Sequence, residues 1–144
     1  MTGLVVCLAV LAAAGVFGAV HRYRRGRMRM QGRDGVRRLT AAEIGGPLGE
    51  RATLLQFSSS FCAPCRATRR TLAEVAGMVG GVAHVEIDAE SRLDLVRELS
   101  VLRTPTVLVL DAGGAVVRRA SGQPRTADVI AAVGAAVHDG PGPV

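Results

Sequence analysis

The sequence predicts an α/β fold, in which a small mixed sheet carries helices on both faces and one transmembrane helix precedes it. The first observation is an uncharged apolar run at the N-terminus, GLVVCLAVLAAAGVFGAV, over residues 3–20. The second is an alternation of strand-like and helix-like segments over residues 52–137, which ends in a hairpin and a helix. Hydrophobic residues make up 49% of the chain, which is enough for one packed core.

The apolar run is long enough to cross a membrane, because 18 residues in a helix extend roughly 27 Å. Residues 21–38 follow it with eight arginines and one acidic residue. Arginine beside a membrane helix prefers the cytoplasmic side. We therefore predict a single-pass membrane protein with its soluble domain in the cytoplasm; the alternative is an export signal or anchor with an extracytoplasmic domain. We also expect the arginines to contact membrane lipid headgroups.

The rest of the chain divides into three parts. Residues 21–35 are polar and glycine-punctuated, and we predict a basic juxtamembrane linker there. We assign residues 36–138 to the α/β domain and residues 139–144 to a frayed tail. Residues 39–144 hold ten arginines and eleven acidic residues, so the domain has no basic surplus. A nucleic-acid partner is therefore not expected.

The elements of the domain follow from apolar periodicity and from turn residues. Thr40 and Glu43 have the spacing of a capping box before a brief helix. We expect Ser91 and Thr126 to cap the two later helices. Because helices connect the first three long strands, we expect those strands to pair in parallel, and the last two to form an antiparallel hairpin. The predicted strands are 36–39, 52–58, 82–88, 105–110 and 115–120, and the predicted longer helices are 62–79, 91–99 and 126–137.

Two cysteines, Cys62 and Cys65, lie three residues apart directly after a strand and at the start of a helix. This spacing places both sulfurs on one helix face. Cys62 falls at the helix N-terminus, where unpaired N–H groups and the helix dipole favour a thiolate. Pro64 suits the first turn because it lacks an N–H that would be unpaired there. The third cysteine, Cys7, lies in the apolar run and is expected to be a small lipid-facing residue.

A metal site and a purely structural disulfide are the alternatives for this pair. Structural zinc needs four ligands, and His84 and His138, the other candidates in the domain, do not have finger-like spacing. We therefore expect no metal. A pair this close at a helix start favours an exposed, labile disulfide, and hence redox chemistry rather than a structural role.

The segments LLQFSSSFCAPC, VEID and LRTPTVLVLDAGG together resemble the thioredoxin family over about residues 36–137. The resemblance implies a thioredoxin-like sheet, with Cys62 as the nucleophile and Cys65 as the resolving cysteine. It also implies that Pro105 is a cis proline packed against the cysteines, that the Thr104 backbone binds a substrate peptide, and that Gly122 lies beside the same groove. Phe61, Ala63 and Pro64 complete the expected substrate-binding surface.

Several positions depart from the family pattern. Phe61 and Ala63 stand where thioredoxins usually have tryptophan and glycine, and Thr104 stands where they have an aliphatic residue. Gln56 replaces a buried aspartate that is thought to move protons, and His84 matches a nearby lysine. Gln56 does not titrate, whereas His84 titrates near neutral pH. The pair is therefore a candidate proton relay in which His84 would carry the proton. Strand alternation favours a simpler role for His84, as a partly exposed residue on the polar side with Glu86.

Together these residues predict a protein-disulfide oxidoreductase, working as a reductase. No glycine-rich dinucleotide motif is present, so the redox-active disulfide is the expected cofactor and a separate protein is the expected electron donor. The expected clients are proteins with disulfides. A non-catalytic thioredoxin-like adaptor at the membrane and a thiol peroxidase or redox sensor remain as alternatives.

Overall fold

The computed structural model describes residues 2–25, 27–30 and 37–139. A long N-terminal helix is followed by five strands and four further helices. In chain order these are α1 (Thr2–Arg25), β1 (Arg29–Met30), α2 (Ala41–Ile44), β2 (Ala52–Ser58), α3 (Ala63–Met78), β3 (Val82–Asp88), α4 (Leu93–Glu98), β4 (Thr106–Asp111), β5 (Val116–Ser121) and α5 (Thr126–Asp139).

The strands form one mixed sheet in the order β1-β5-β4-β2-β3. β2 and β3 pair in parallel, and the other neighbours are antiparallel. The prediction that β4 runs parallel to the two preceding strands is wrong. β3 ends at Asp88, which lies opposite Ser58, the last residue of β2. The helix that follows, α4, has only six residues and is about 9 Å long. The chain therefore does not cross back to the far edge before β4 begins, so β4 runs in the opposite direction.

Both faces of the sheet are covered, as predicted. Strand alternation sends Leu54 and its even-numbered neighbours toward α3 and α5, and sends Leu55 and Phe57 toward α2 and α4. All seven residues of β2 are buried. β2 thus runs through the centre of the domain, and its carboxyl end supports the start of α3.

Several local predictions need correction. In the predicted strand 36–39, an isolated bridge joins Arg38 to Ala115, and the Leu39 amide donates to the Gly114 carbonyl at 2.9 Å; residue 36 lies outside the described residues. α4 begins at Leu93, because the Ser91 hydroxyl donates to the Asp88 carbonyl instead of capping the helix. Thr126 is the first residue of α5 and not its cap.

The predicted linker, residues 21–35, also contains regular structure. α1 continues to Arg25, and β1 pairs with β5 at Arg29 and Met30. Residues 26 and 31–35 of this linker lie outside the described residues. Of the predicted tail, residue 139 belongs to α5, and residues 140–144 lie outside the described residues.

α1 differs from every other described helix in its surroundings. Its residues from Thr2 to Arg24 are exposed, and the helix is long and apolar enough to cross a membrane. The free Cys7 lies on it and is exposed. The short helix α2, by contrast, belongs to the domain, and the capping box of Thr40 and Glu43 forms as predicted and starts it.

Candidate active site

The two cysteines occupy the turn from β2 into α3. Cys62 is the N-cap residue of α3, Cys65 lies in its first turn, and a disulfide joins them with their Cα atoms 5.2 Å apart. Phe61, immediately before the pair, has a φ of 60°, which is unusual for a bulky residue. Phe61 therefore adopts a left-handed backbone conformation directly beside the redox pair, and its side chain is fully exposed to solvent.

The two cysteines differ in accessibility. Cys62 is partly exposed, whereas Cys65 is only 2% exposed and packs into the domain. The side chain of Cys62 makes no capping hydrogen bond, so it does not satisfy the N–H groups of the first turn of α3. A helix of 16 residues carries a partial positive charge there, which favours negative charge on the Cys62 sulfur. An incoming disulfide can therefore reach Cys62, while Cys65 is shielded.

The loop between α4 and β4 lies beside this turn. The Thr104–Pro105 peptide is cis, as the family resemblance implied, and Pro105 is buried. The Gly122 amide donates to the Pro105 carbonyl at 2.7 Å, and Gly122 has a φ of 98° that favours glycine. The hydroxyls of Ser59 and Thr104 lie 2.7 Å apart and are hydrogen-bonded. The Ser59–Thr104 bond joins the turn before the cysteines to the cis-proline loop, and the Gly122–Pro105 bond joins that loop to the end of β5.

The expected substrate-binding residues fall into two groups. Pro64, Thr104, Pro105 and Gly122 line one open cavity of about 870 Å³. Phe61 and Ala63 do not line it, and they are exposed on the surface around Cys62.

Gln56 lies beneath the redox turn. It is completely buried on β2, and its side-chain amide donates to the Cys65 carbonyl and to the Ser58 hydroxyl, both at 2.9 Å. Its Oε1 lies 3.2 Å from Nε2 of His84 on the neighbouring strand. The buried amide is therefore fully hydrogen-bonded, as buried polar groups in native proteins generally are. The structure thus brings both residues of the predicted relay together under Cys65.

A hydrogen-bonded chain leads from Gln56 to the surface. Ser58 donates to Glu86 at 2.6 Å, and the Arg69 guanidinium binds the same carboxylate with two bonds of 2.6 and 2.9 Å. Burial acts to raise the pKa of Glu86, but the hydrogen bonds from Arg69 and Ser58 outweigh it, and the pKa is lowered. We refer to Gln56, Ser58, His84, Glu86 and Arg69 as the polar network.

His84 is partly buried at the edge of this network and shares a sheet face with Glu86, as alternation indicated. Burial lowers the pKa of His84, and the charge of Glu86 opposes that shift without cancelling it. His84 is therefore neutral at pH 7 and able to accept a proton.

Sequence reasoning missed three features of the site. The Ser58–Glu86 bond, the Arg69–Glu86 ion pair and the Ser59–Thr104 bond all join residues from different elements. Alternation along β2 does place Gln56 and Ser58 on one face of the sheet. This alternation is the sequence signal that could have indicated a contact between their side chains. The pairing register that puts Glu86 beside them is not encoded in local spacing.

Comparison with known proteins agrees with this geometry. The family model described as Thioredoxin matches residues 45–135, more than half of the chain. Thioredoxin z from a chloroplast is 27% identical with a TM-score of 0.53, over 60% of this chain and 79% of that one.

Two further thioredoxins share the fold. Spinach chloroplast thioredoxin f (short form) is 22% identical with a TM-score of 0.53, over 61% of this chain and 78% of that one. A mutant thioredoxin from Halobacterium salinarum is 18% identical with a TM-score of 0.55, over 61% of this chain and 76% of that one. No curated protein matches the sequence at a significant level. The chain belongs to the thioredoxin family.

Proposed function

We propose that this protein is a membrane-anchored protein-disulfide reductase that acts through Cys62 and Cys65. The observation that carries the proposal is the difference between the two cysteines of one disulfide: Cys62 is accessible at a helix N-terminus, and Cys65 is buried one turn further along. Disulfide exchange needs one sulfur that a client can reach and a second that reacts only within the protein.

The reaction begins with the reduced pair. The Cys62 thiolate attacks one sulfur of a client disulfide, which forms a mixed disulfide and releases the other client sulfur as a thiolate that takes up a proton. Cys65 then loses its proton and attacks the Cys62 sulfur, which expels the second client thiolate. The client gains two electrons and two protons, and the protein is left with the Cys62–Cys65 disulfide. A separate electron donor protein reduces this disulfide again.

The cis-proline loop is the proposed client-binding surface. The exposed Phe61, Ala63 and Pro64 supply an apolar rim around Cys62. The backbone at Thr104 lies next to the cavity and is proposed to pair with an extended client segment, as an added strand does.

His84 is proposed to accept, at Nδ1, the proton that Cys65 loses, while Gln56 positions the ring because its Oε1 accepts the hydrogen bond from the Nε2–H of His84. The contacts of Gln56 with both the Cys65 carbonyl and His84 support this role, as does the lowered pKa of His84. Replacing His84 by Gln should slow resolution of the mixed disulfide at pH 7 and change its pH profile. Quenched-flow detection of the mixed disulfide measures this step directly; an unaltered pH profile would remove His84 from the mechanism.

We propose that α1 anchors the domain at the cytoplasmic side of a membrane. Its length and apolar composition support an anchor, and the arginines that follow its apolar run support this orientation and contact with anionic headgroups. A reporter enzyme that works only outside the cytoplasm, fused after the last residue, should be inactive. An active reporter would place the domain on the other side.

The function is tested by reduction of a protein disulfide with dithiothreitol as the electron source. The full chain in detergent should accelerate the reduction, and the Cys62→Ser variant should show only the rate of dithiothreitol alone. Cys65→Ser, reduced first and then mixed with the client without dithiothreitol, should accumulate a mixed disulfide, because the resolving thiol is gone. Cys7→Ser, the matched control on α1, should match the parent protein.

Two outcomes would replace this proposal. If Cys62→Ser still binds a membrane partner as well as the parent does, and the parent reduces no disulfide, the protein is an adaptor. If the parent consumes hydrogen peroxide far faster than a free thiol and reduces no client, it is a peroxidase or redox sensor.

A further inference from the structure

The cavity beside the cis-proline loop has a second wall that comes from α1. Pro64, Thr104 and Pro105 line the cavity next to the cysteines, and Arg22 and Tyr23 of α1 also line it. Only residues 26–28 separate α1 from β1, and β1 is hydrogen-bonded to the sheet. The four Cα–Cα steps from Arg25 to Arg29 reach about 14 Å at most. The end of α1 is therefore held close to the edge of the sheet. The cavity is a feature of the full chain, in which α1 is attached to the domain. We call this cavity the arginine groove.

Three arginines from different segments line the arginine groove. They are Arg22 on α1, Arg103 just before the cis peptide, and Arg125 just before α5. Among the described residues that line the groove there is no aspartate or glutamate. Within the described part of the chain, Arg22 and Arg103 form no salt bridge.

Arg125 has a different role from the other two. Asp128, which lies outside the groove, holds the Arg125 guanidinium at 2.9 Å, and this hydrogen bond raises the pKa of Arg125. The same guanidinium lies 4.7 Å from the centre of the Tyr23 ring. A cation in this position attracts the face of an aromatic ring. Arg125 therefore joins α1 to the domain, and Arg22 and Arg103 supply most of the uncompensated positive charge.

We propose that the arginine groove binds an acidic segment of the client protein, beside the disulfide that is being reduced. This inference rests on the proposed function and names the chemistry of its clients. A carboxylate is the natural partner of an unpaired guanidinium, which offers a planar fork of N–H donors. Arg103 is adjacent in sequence to Thr104, where the client backbone is proposed to pair. A peptide bound there places its flanking residues along the groove, whereas an isolated lipid headgroup would not use the Pro64 and Pro105 wall.

The test compares two cyclic disulfide peptides that differ only in the residues beside their cysteines, which are glutamates in one and glutamines in the other. The reduced full chain in zwitterionic detergent should reduce the acidic peptide about tenfold faster at low salt. The ratio of the two rates should fall toward one as the ionic strength approaches about 0.5 M. Equal rates at low salt would overturn the acidic-client proposal and leave the proposed function standing. Failure to reduce either peptide would overturn the proposed function itself.

Charge reversal locates the effect in the groove. Arg103→Glu should bring the ratio of rates to about one or below, and Arg103→Lys should retain most of the preference. Arg97→Glu, an exposed control on α4 outside the groove, should leave the ratio unchanged. If Arg103→Glu does not fold, Arg22→Glu, on the exposed surface of α1, takes its place in the same comparison of rates.

A lipid occupant would give a different pattern. In that case both peptides would react at equal rates in phosphatidylcholine bilayers, and Arg103→Glu would alter the rates only where phosphatidylglycerol is present. This result would overturn the acidic-client proposal.

Discussion

The redox end of the domain and the helix α1 obtain their properties in different ways. Around Cys65, buried side chains and hydrogen bonds from β2, β3 and α3 determine which sulfur is accessible and which is shielded. α1 has 24 helical residues, and none of its apolar side chains from Thr2 to Arg24 is buried by the rest of the described chain. The first region is specified by packing within the protein, and the second is suited to an apolar environment that the protein itself does not supply.

This difference explains why the same residue type has different consequences in the two regions. A cysteine at position 62 or 65 is part of a reactive pair, whereas Cys7 on α1 is a free thiol. A leucine in β2 fills a core, and a leucine in α1 faces outward. Matched substitutions in the two regions test the comparison directly.

The largest effect should come from truncating a core leucine. Leu55→Ala removes a completely buried side chain and should lower the free energy of unfolding by about 3 kcal/mol. Leu11→Ala, the matched change on α1, removes a side chain that is 68% exposed and should change domain unfolding by less than about 0.5 kcal/mol. Urea unfolding in detergent, followed by circular dichroism, measures both. A loss from Leu11→Ala equal to that from Leu55→Ala would show that α1 packs into the domain.

The next effect should come from the polar network. Gln56→Met keeps the length of the side chain but removes the donors to the Cys65 carbonyl and to Ser58. Leaving these buried groups without their partners should lower the free energy of unfolding by about 2 kcal/mol. The exposed Gln123→Met is the control and should be close to neutral. If both variants unfold at the same urea concentration, the network does not stabilise the redox end.

A smaller change of opposite sign is expected at Thr68, one turn from Cys65. Its hydroxyl is the buried side-chain polar atom for which the described residues supply no hydrogen-bond partner. Thr68→Val should therefore raise the free energy of unfolding by about 1 kcal/mol. The Thr71 hydroxyl donates to the Ala67 carbonyl at 3.3 Å, so Thr71→Val should give no such gain. A destabilised Thr68→Val protein would mean that the hydroxyl does find a partner.

The smallest predicted effect is a pH dependence. The pKa of His84 is lowered below 6.5 in the folded protein, chiefly by burial, so the unfolded chain binds more protons at this site as the pH falls. Stability contributed by neutral His84 is therefore present above pH 6.5 and is lost as the pH falls through 6.5 toward the folded pKa. His84→Gln should flatten this part of the curve of unfolding free energy against pH. An identical slope in both proteins between about pH 7 and pH 5 would contradict this assignment.

Much of the fold follows from local sequence signals. Strand alternation, the capping box at Thr40 and Glu43, and the cysteine spacing all depend on residues within a few positions of each other, and all three have the predicted structure. The cis peptide at Pro105 was implied by the family resemblance, because the isolated sequence also fits an ordinary strand-starting proline.

The features that the sequence did not predict depend on distant contacts. The direction of β4 depends on how far α4 travels along the sheet, and six helical residues do not span it. The polar network depends on the register between β2 and β3, which places Gln56 opposite Glu86. The arginine groove needs α1 beside the cis-proline loop, although more than 75 residues separate Arg22 from Arg103. Local periodicity carries no information about any of these.

The most direct test of the central claim is a redox titration of the Cys62–Cys65 pair. The full chain with Cys7→Ser, which leaves these two cysteines, is equilibrated in detergent with dithiothreitol and glutathione buffers, and its free thiols are then counted. A reversible two-electron transition near −270 mV, roughly the potential of thioredoxin, is expected for a reductase. A transition several tens of millivolts higher would contradict the reducing direction. The absence of any reversible two-electron transition would contradict the account of this site as a disulfide-exchange centre.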